Sequence, residues 1–178
     1  MKLLLILVSF IASIITYAGD ITVSMSVSGD EQLTELVSSY INREFRDLHD
    51  VTIVSDTRAD YEVRVIALAN TLKTGQQIGY ILSVVVLATV PTNTFDAAVS
   101  KEIRPFLHNY LATLSQFDNN YLYSSGPAEL KTTCENIVAR IDSAIFEPER
   151  QNERQIEILL KNISTNAPDV HPVSTNTP

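Results

Sequence analysis

Residues 61–90 read YEVRVIALANTLKTGQQIGYILSVVVLATV. Two runs rich in Val, Ile and Leu flank a polar centre, and β-branched side chains at this density favour strands. The first run is Tyr61 to Leu72 and the second is Ile78 to Val90. Between them Lys73-Thr74-Gly75-Gln76 makes a turn, with Gly75 where a positive φ is cheap. So short a link forces the two strands to run antiparallel. The second run holds Ile78, Ile81, Val84, Val85, Val86 and Val90. That near-continuous apolarity predicts a strand buried on both faces, at the centre of a sheet.

Upstream, Ile21, Val23, Met25 and Val27 alternate with Thr22, Ser24, Ser26 and Ser28. Period two predicts a strand with one buried face. Ser28-Gly29-Asp30-Glu31 then reads as a helix start, with Ser28 and Glu31 spaced as a capping box and Asp30 adding negative charge at the N-terminus. Leu33, Leu36, Val37, Tyr40, Ile41, Phe45 and Leu48 follow at helical spacing, giving an amphipathic helix of about 18 residues. His49-Asp50 ends it, Val51 to Val54 forms a second strand, and Asp56 to Asp60 reads as a turn. Strand, helix and strand in this order predict a right-handed crossover with parallel pairing.

Downstream, Pro91 stops the long run, and Pro105 suits the first position of a helix over about 105–116 that carries Phe106, Leu107, Tyr110, Leu111 and Leu114. Asp118-Asn119-Asn120 reads as a turn and Tyr121 to Ser124 as a short strand. Pro127 opens a helix lined by Leu130, Cys134, Ile137, Val138, Ile141 and Ile145, and Pro148 ends it. Glu153 to Ile163 is a last amphipathic helix. The expected fold is α+β, an α/β sandwich: a β-α-β-β-β core sheet of 4–5 mixed strands packed by 3–4 helices, forming one domain over 19–164. Residues 165–178 are polar, carry three prolines, and read as a disordered tail.

Residues 1–18 stand apart. Lys2 precedes an apolar run from Leu3 to Ile15, and Thr16-Tyr17-Ala18 places small residues ahead of a cut before Gly19. This is the pattern of a secretory signal peptide. The run is shorter than the roughly 20 residues that span a bilayer as a helix. No acylatable cysteine follows the cut, so the mature protein is expected in the periplasm or secreted, without stable membrane insertion. The chain carries a formal net charge of −8, and loss of Lys2 with the signal segment makes it more negative. So acidic a chain is a poor match for nucleic acid, whose phosphates demand Lys and Arg. With one cysteine, Cys134, it has no internal disulfide, and packing alone must hold it.

The chemistry-bearing residues offer no catalytic signature. Cys134 lies on the apolar stripe of its helix, where a thiol behaves as a small hydrophobe. His49, His108 and His171 are not at metal-ligand spacing, and no H-E-x-x-H, G-x-S-x-G or phosphate-loop pattern is present. Ser124-Ser125-Gly126 precedes a helix, where hydroxyls cap more often than they attack. Neither a catalytic residue nor a metal or cofactor site is assigned. Asn162-Ile163-Ser164 has the form of a glycosylation sequon, relevant only to a eukaryotic source. The hairpin supplies the candidate interaction surface: Tyr61, Glu62 and Arg64 at its start, and Lys73, Gln76 and Gln77 at its tip, where a long hairpin presents an edge to a partner.

Ala59-Asp60-Tyr61-Glu62-Val63-Arg64-Val65 after a short strand, followed by GYILSVVVLATV at 79–90, resembles small bacterial envelope domains: the TolB amino-terminal domain, the curli-secretion CsgG class and the penicillin-binding-protein activator LpoB. The resemblance spans about residues 20–90. It implies a non-catalytic α/β module that binds another envelope protein, and it transfers no functional residue. A small hydrolase or transferase with a non-standard site, or a carrier of a small apolar ligand, is the alternative. The hydrolase reading calls for His49 or His108 beside a carboxylate and a hydroxyl, and the carrier reading for an enclosed apolar cavity.

Overall fold

The computed structural model describes residues 21–55, 59–90, 96, 98–111 and 114–165. The signal segment, the centre of the 56–60 turn, Pro91 and the tail beyond Thr165 lie outside the described residues. In chain order the elements are β1 (Ile21–Gly29), α1 (Glu31–Asp47), β2 (Val51–Ile53), β3 (Tyr61–Thr71), β4 (Gln77–Thr89), α2 (Arg104–Leu111), β5 (Ser115–Ser125), α3 (Leu130–Ile141), a π-helical turn (Asp142–Phe146) and α4 (Glu147–Thr165).

The strands form one mixed sheet in the order β2-β1-β3-β4-β5. β1 pairs in parallel with β2 and with β3, as the β1-α1-β2 crossover requires, while β3-β4 and β4-β5 are antiparallel. The fold is the expected α+β arrangement, with α1 and α3 packed on one face of a five-stranded sheet. Val23, Val63, Val65, Ala67, Leu82, Val84 and Val86 point toward the helices and are fully or almost fully buried. They meet Leu33, Val37, Ile41 and Phe45 of α1, spaced every four residues, and Cys134, Ile137, Val138 and Ile141 of α3. Each fully buried aliphatic side chain contributes about 1.5–3 kcal/mol.

Five readings are corrected. Ser28 does not cap α1: the N-cap is Asp30, without a side-chain cap bond, because its carboxylate is engaged elsewhere. The helix expected over 105–116 ends at Leu111, and Ser115–Ser125 is one continuous strand. Asp118-Asn119-Asn120 has turn chemistry, but pairing to β4 overrides it and a register shift near Val86/Leu87 absorbs the irregularity. Pro148 does not end a helix. The π turn before it shifts the bonding, with Glu147 N–H donating to the Asp142 carbonyl, so Pro148 falls in the first turn of α4, where its missing donor costs nothing. Finally, β4 is an interior strand beside the edge strand β5, with β3 at the centre, and its burial alternates, so only one of its faces is fully buried.

A candidate interaction surface at the hairpin end

β3 and β4 run past their neighbours. β1 pairs with β3 as far as Ala67, and β5 reaches β4 as far as Tyr80, so the hairpin continues alone to its turn. Gly75 takes φ +83° there, and Leu72 N–H and Gln76 C=O close the loop at 2.8 Å. Leu72 and Ile78 flank the turn, 45% and 43% exposed.

The start of α1 lies against this projection. Gly29 ends β1 at φ +127°, and a side chain there would drive a Cβ to 1.9 Å from the Ala67 carbonyl oxygen. This close approach lets Asp30 clamp the helix to β3. Its N–H donates to Ala67 O at 3.0 Å, and its carboxylate accepts the Ala69 N–H at 2.6 Å. Between helix and hairpin lies a groove of about 340 Å³. Leu33 and Leu36 line it from α1, Ala69 from β3, and Gln77 and Tyr80 from β4. Leu36 is 47% exposed although it stands on an otherwise buried helical stripe. Asp30 and Glu31 make one rim acidic, and negative charge at a helix N-terminus is favoured by the dipole. Lys73 stands at the tip beyond it.

The six residues singled out in the sequence are divided by this geometry. Lys73, Gln76 and Gln77 sit at the tip. Tyr61, Glu62 and Arg64 sit at the other end of β3, about 30 Å away at the strand rise. Glu62 and Arg64 form a two-pronged ion pair at 2.8 Å on the outer sheet face. Tyr61 turns to the helical side, where its hydroxyl donates to Glu149 at 2.8 Å and its ring lies 5.3 Å from that of Phe146. The helical half of the groove was not legible in the sequence, because nothing periodic links residues 30–36 to residues 69–80.

Near Tyr61, charged groups dock α4. Arg150 binds Asp50 through two nitrogens and Asp142 at 2.7 Å, with Glu147 at 3.4 Å. The Arg150 hydrogen bonds hold the Asp50 carboxyl below its ordinary range, against the opposing effect of burial. Burial pushes the half-buried Glu149 carboxyl up, although the Tyr61 hydrogen bond acts the other way. Burial, with the Glu149 charge, also pushes the Tyr61 phenol well above its usual range, so it remains a donor.

The histidines sit elsewhere. His108 Nε2 lies 2.5 Å from Asp96 Oδ1, and His49 Nδ1 lies 3.1 Å from the Asp47 carbonyl. Neither pair includes a hydroxyl or thiol. Burial pushes the Cys134 thiol up to about 12, which keeps it protonated and inert. No group of three or more metal-ligating side chains occurs among the described residues, and no helix among them is long and apolar enough to cross a membrane.

No protein-family model matches the chain, and neither does any curated protein sequence. Solved structures align with it at low similarity. A PelC dodecamer from Paraburkholderia phytofirmans aligns at 12% identity and a TM-score of 0.41, covering 71% of this chain and 86% of that one. Protein XCC0632 from Xanthomonas campestris, of the family-model DUF330, aligns at 9% identity and a TM-score of 0.40, covering 76% and 89%. The resemblance to envelope domains drawn from residues 59–65 and 79–90 therefore rests on those residues alone.

Proposed function

We propose that residues 1–18 export the chain, and that residues 19–164 form a single non-catalytic accessory domain in the periplasm or outside the cell. This domain grips an extended segment of another envelope protein at its hairpin end. The observation that carries the reading is the groove between α1 and the projecting hairpin, with Leu36 exposed inside it and Leu72 and Ile78 exposed beside it. Apolar side chains left bare around a concavity mark binding surfaces. The acidic rim at Asp30 and Glu31 suits a segment that carries a basic residue next to an apolar one.

The test is affinity capture from envelope extract with the tagged, exported chain. Wild type is expected to retain one protein in near-stoichiometric amount, and Leu36→Asp to retain at least tenfold less with an unchanged circular dichroism spectrum. Equal recovery by both would sink the assignment of the groove.

A further inference from the structure

The outer sheet face is a second, independent surface. Side chains of β3, β4 and β5 that point away from the helices include a group of exposed apolar residues among polar ones. Ile66, Leu68, Ile81, Phe117 and Leu122 are 49%, 45%, 36%, 59% and 75% exposed. The register sets them in rows across the three strands. Ile66, Ser83 and Leu122 form one row and Leu68, Ile81 and Ser124 the next toward the hairpin tip; in the other direction come Arg64, Val85 and Asn120, then Glu62, Leu87 and Phe117. The combined exposed area of the five exposed apolar side chains is on the order of 500 Å², most of it in the adjoining rows of Ile66, Leu68, Ile81 and Leu122, within the range of the largest patch on a monomeric protein. Strands apolar on both faces call for a layer on both faces.

We infer that the covering layer is the same face of a second copy of this chain. Charge selects this occupant. The protein is acidic, with a net charge of −8. On this face, however, Glu62 and Arg64 neutralise each other, and β1 contributes only Thr22, Ser24, Ser26 and Ser28. Asp118 stands at the bulge, on the edge strand. The complement of a neutral apolar and hydroxyl surface is another such surface, and two copies provide it without bringing their acidic surfaces together. Area sets the scale. With the axis along β4, the three strands β3, β4 and β5 overlap, and at about 4.8 Å apart and about 30 Å long they give a projected footprint of about 430 Å². With the corrugation of side chains this is the size of a small, reversible interface, below the roughly 800 Å² per partner of the standard class.

The copies stack as an aligned sandwich, about 10 Å between sheets, around a two-fold axis running close to the direction of β4. β4 then faces β4, with Ile81 near its own mate. β3 of one copy lies over β5 of the other, which sets Ile66 over Leu122 of the second copy.

Sedimentation velocity of the full exported chain tests this. Wild type is expected to be dimeric at micromolar concentration. Ile66→Glu and Leu122→Lys, each alone, are expected to weaken dimerisation at least tenfold, with unchanged thermal unfolding of the monomer. Mixing the two variants is expected to restore the dimer, because Glu at 66 then meets Lys at 122. Leu122→Ser gives the same single-variant reading if a charged variant misfolds. A wild type that stays monomeric up to about 100 µM would overturn the inference, as would dimers indifferent to both substitutions. Variants that separate the copies but do not recombine on mixing would overturn the proposed pairing of Ile66 with Leu122. Capture of a partner at the hairpin groove is expected to be unaffected by Leu122→Lys, so the two surfaces succeed or fail separately.

Discussion

Gly29 is the residue whose backbone the hairpin end depends on most. Its φ of +127° lies where side-chain-bearing residues rarely go, and a Cβ would collide with the Ala67 carbonyl. Gly29→Ala is therefore expected to cost about 2–4 kcal/mol in urea unfolding, from strain and overpacking together. It should also reduce capture at the groove, since the Asp30 clamp follows directly from that turn. Cys134 makes the opposite kind of statement. It is fully buried with its thiol pushed up to about 12, so alkylation by iodoacetamide at pH 8 is expected to be at least a hundredfold slower than for a free thiol until the protein unfolds. Prompt modification of the native protein would contradict the packing described for α3.

At the level of elements, the π turn is the device that completes the core. It carries the chain past Pro148 and aims Phe146 between Phe45, 6.3 Å away ring to ring, and Tyr61. Phe146→Ala is expected to cost about 3–5 kcal/mol, read as a shift in denaturant midpoint at constant slope. This element also shows where sequence reading stops. Pro148 signals a helix end in any local rule, and only the packing of Phe146 and the Arg150 ion pairs makes continuation worthwhile. β5 was obscured likewise, since Asp118-Asn119-Asn120 looks like a turn until β4 is beside it. The hairpin was legible because its signals are local: β-branched runs, a polar link and Gly75. The tip residues Lys73, Gln76 and Gln77 came with it. The other wall of the groove, Asp30 to Leu36, is set by contacts about 40 residues apart in sequence, which no periodicity reports.

For the whole molecule, the docking of α4 gives stability a predictable dependence on pH. Glu149 has a folded pKa raised above its ordinary 4.5, chiefly by burial. Its charged form is therefore penalised in the native state at neutral pH. That penalty fades as pH falls through the folded pKa and is gone below about 4.5. Asp50 acts in reverse. Its pKa is lowered by Arg150, so its contribution is present above 3.8 and is lost as pH falls below that value. Stability is expected to rise as pH falls through the raised Glu149 pKa toward 4.5, and to decline below about 3.8 as Asp50 takes up its proton. Glu149→Gln is expected to be more stable than wild type at pH 7, with the gap closing on acidification. A difference that does not change with pH would remove Glu149 from this role.

The exposed apolar surfaces at the hairpin end and on the outer sheet face are the places where we propose that other chains dock. The claim that the groove holds one of them is tested most directly by a photo-activated cross-linking residue placed in the exported chain in living cells. It is put at Gln77, which lines the groove, and in a separate variant at Gln155, exposed on α4. The account predicts a discrete heavier adduct from position 77 that is absent from position 155 and lost when Leu36→Asp is added. Equal adducts at both positions, or none at 77, would contradict it.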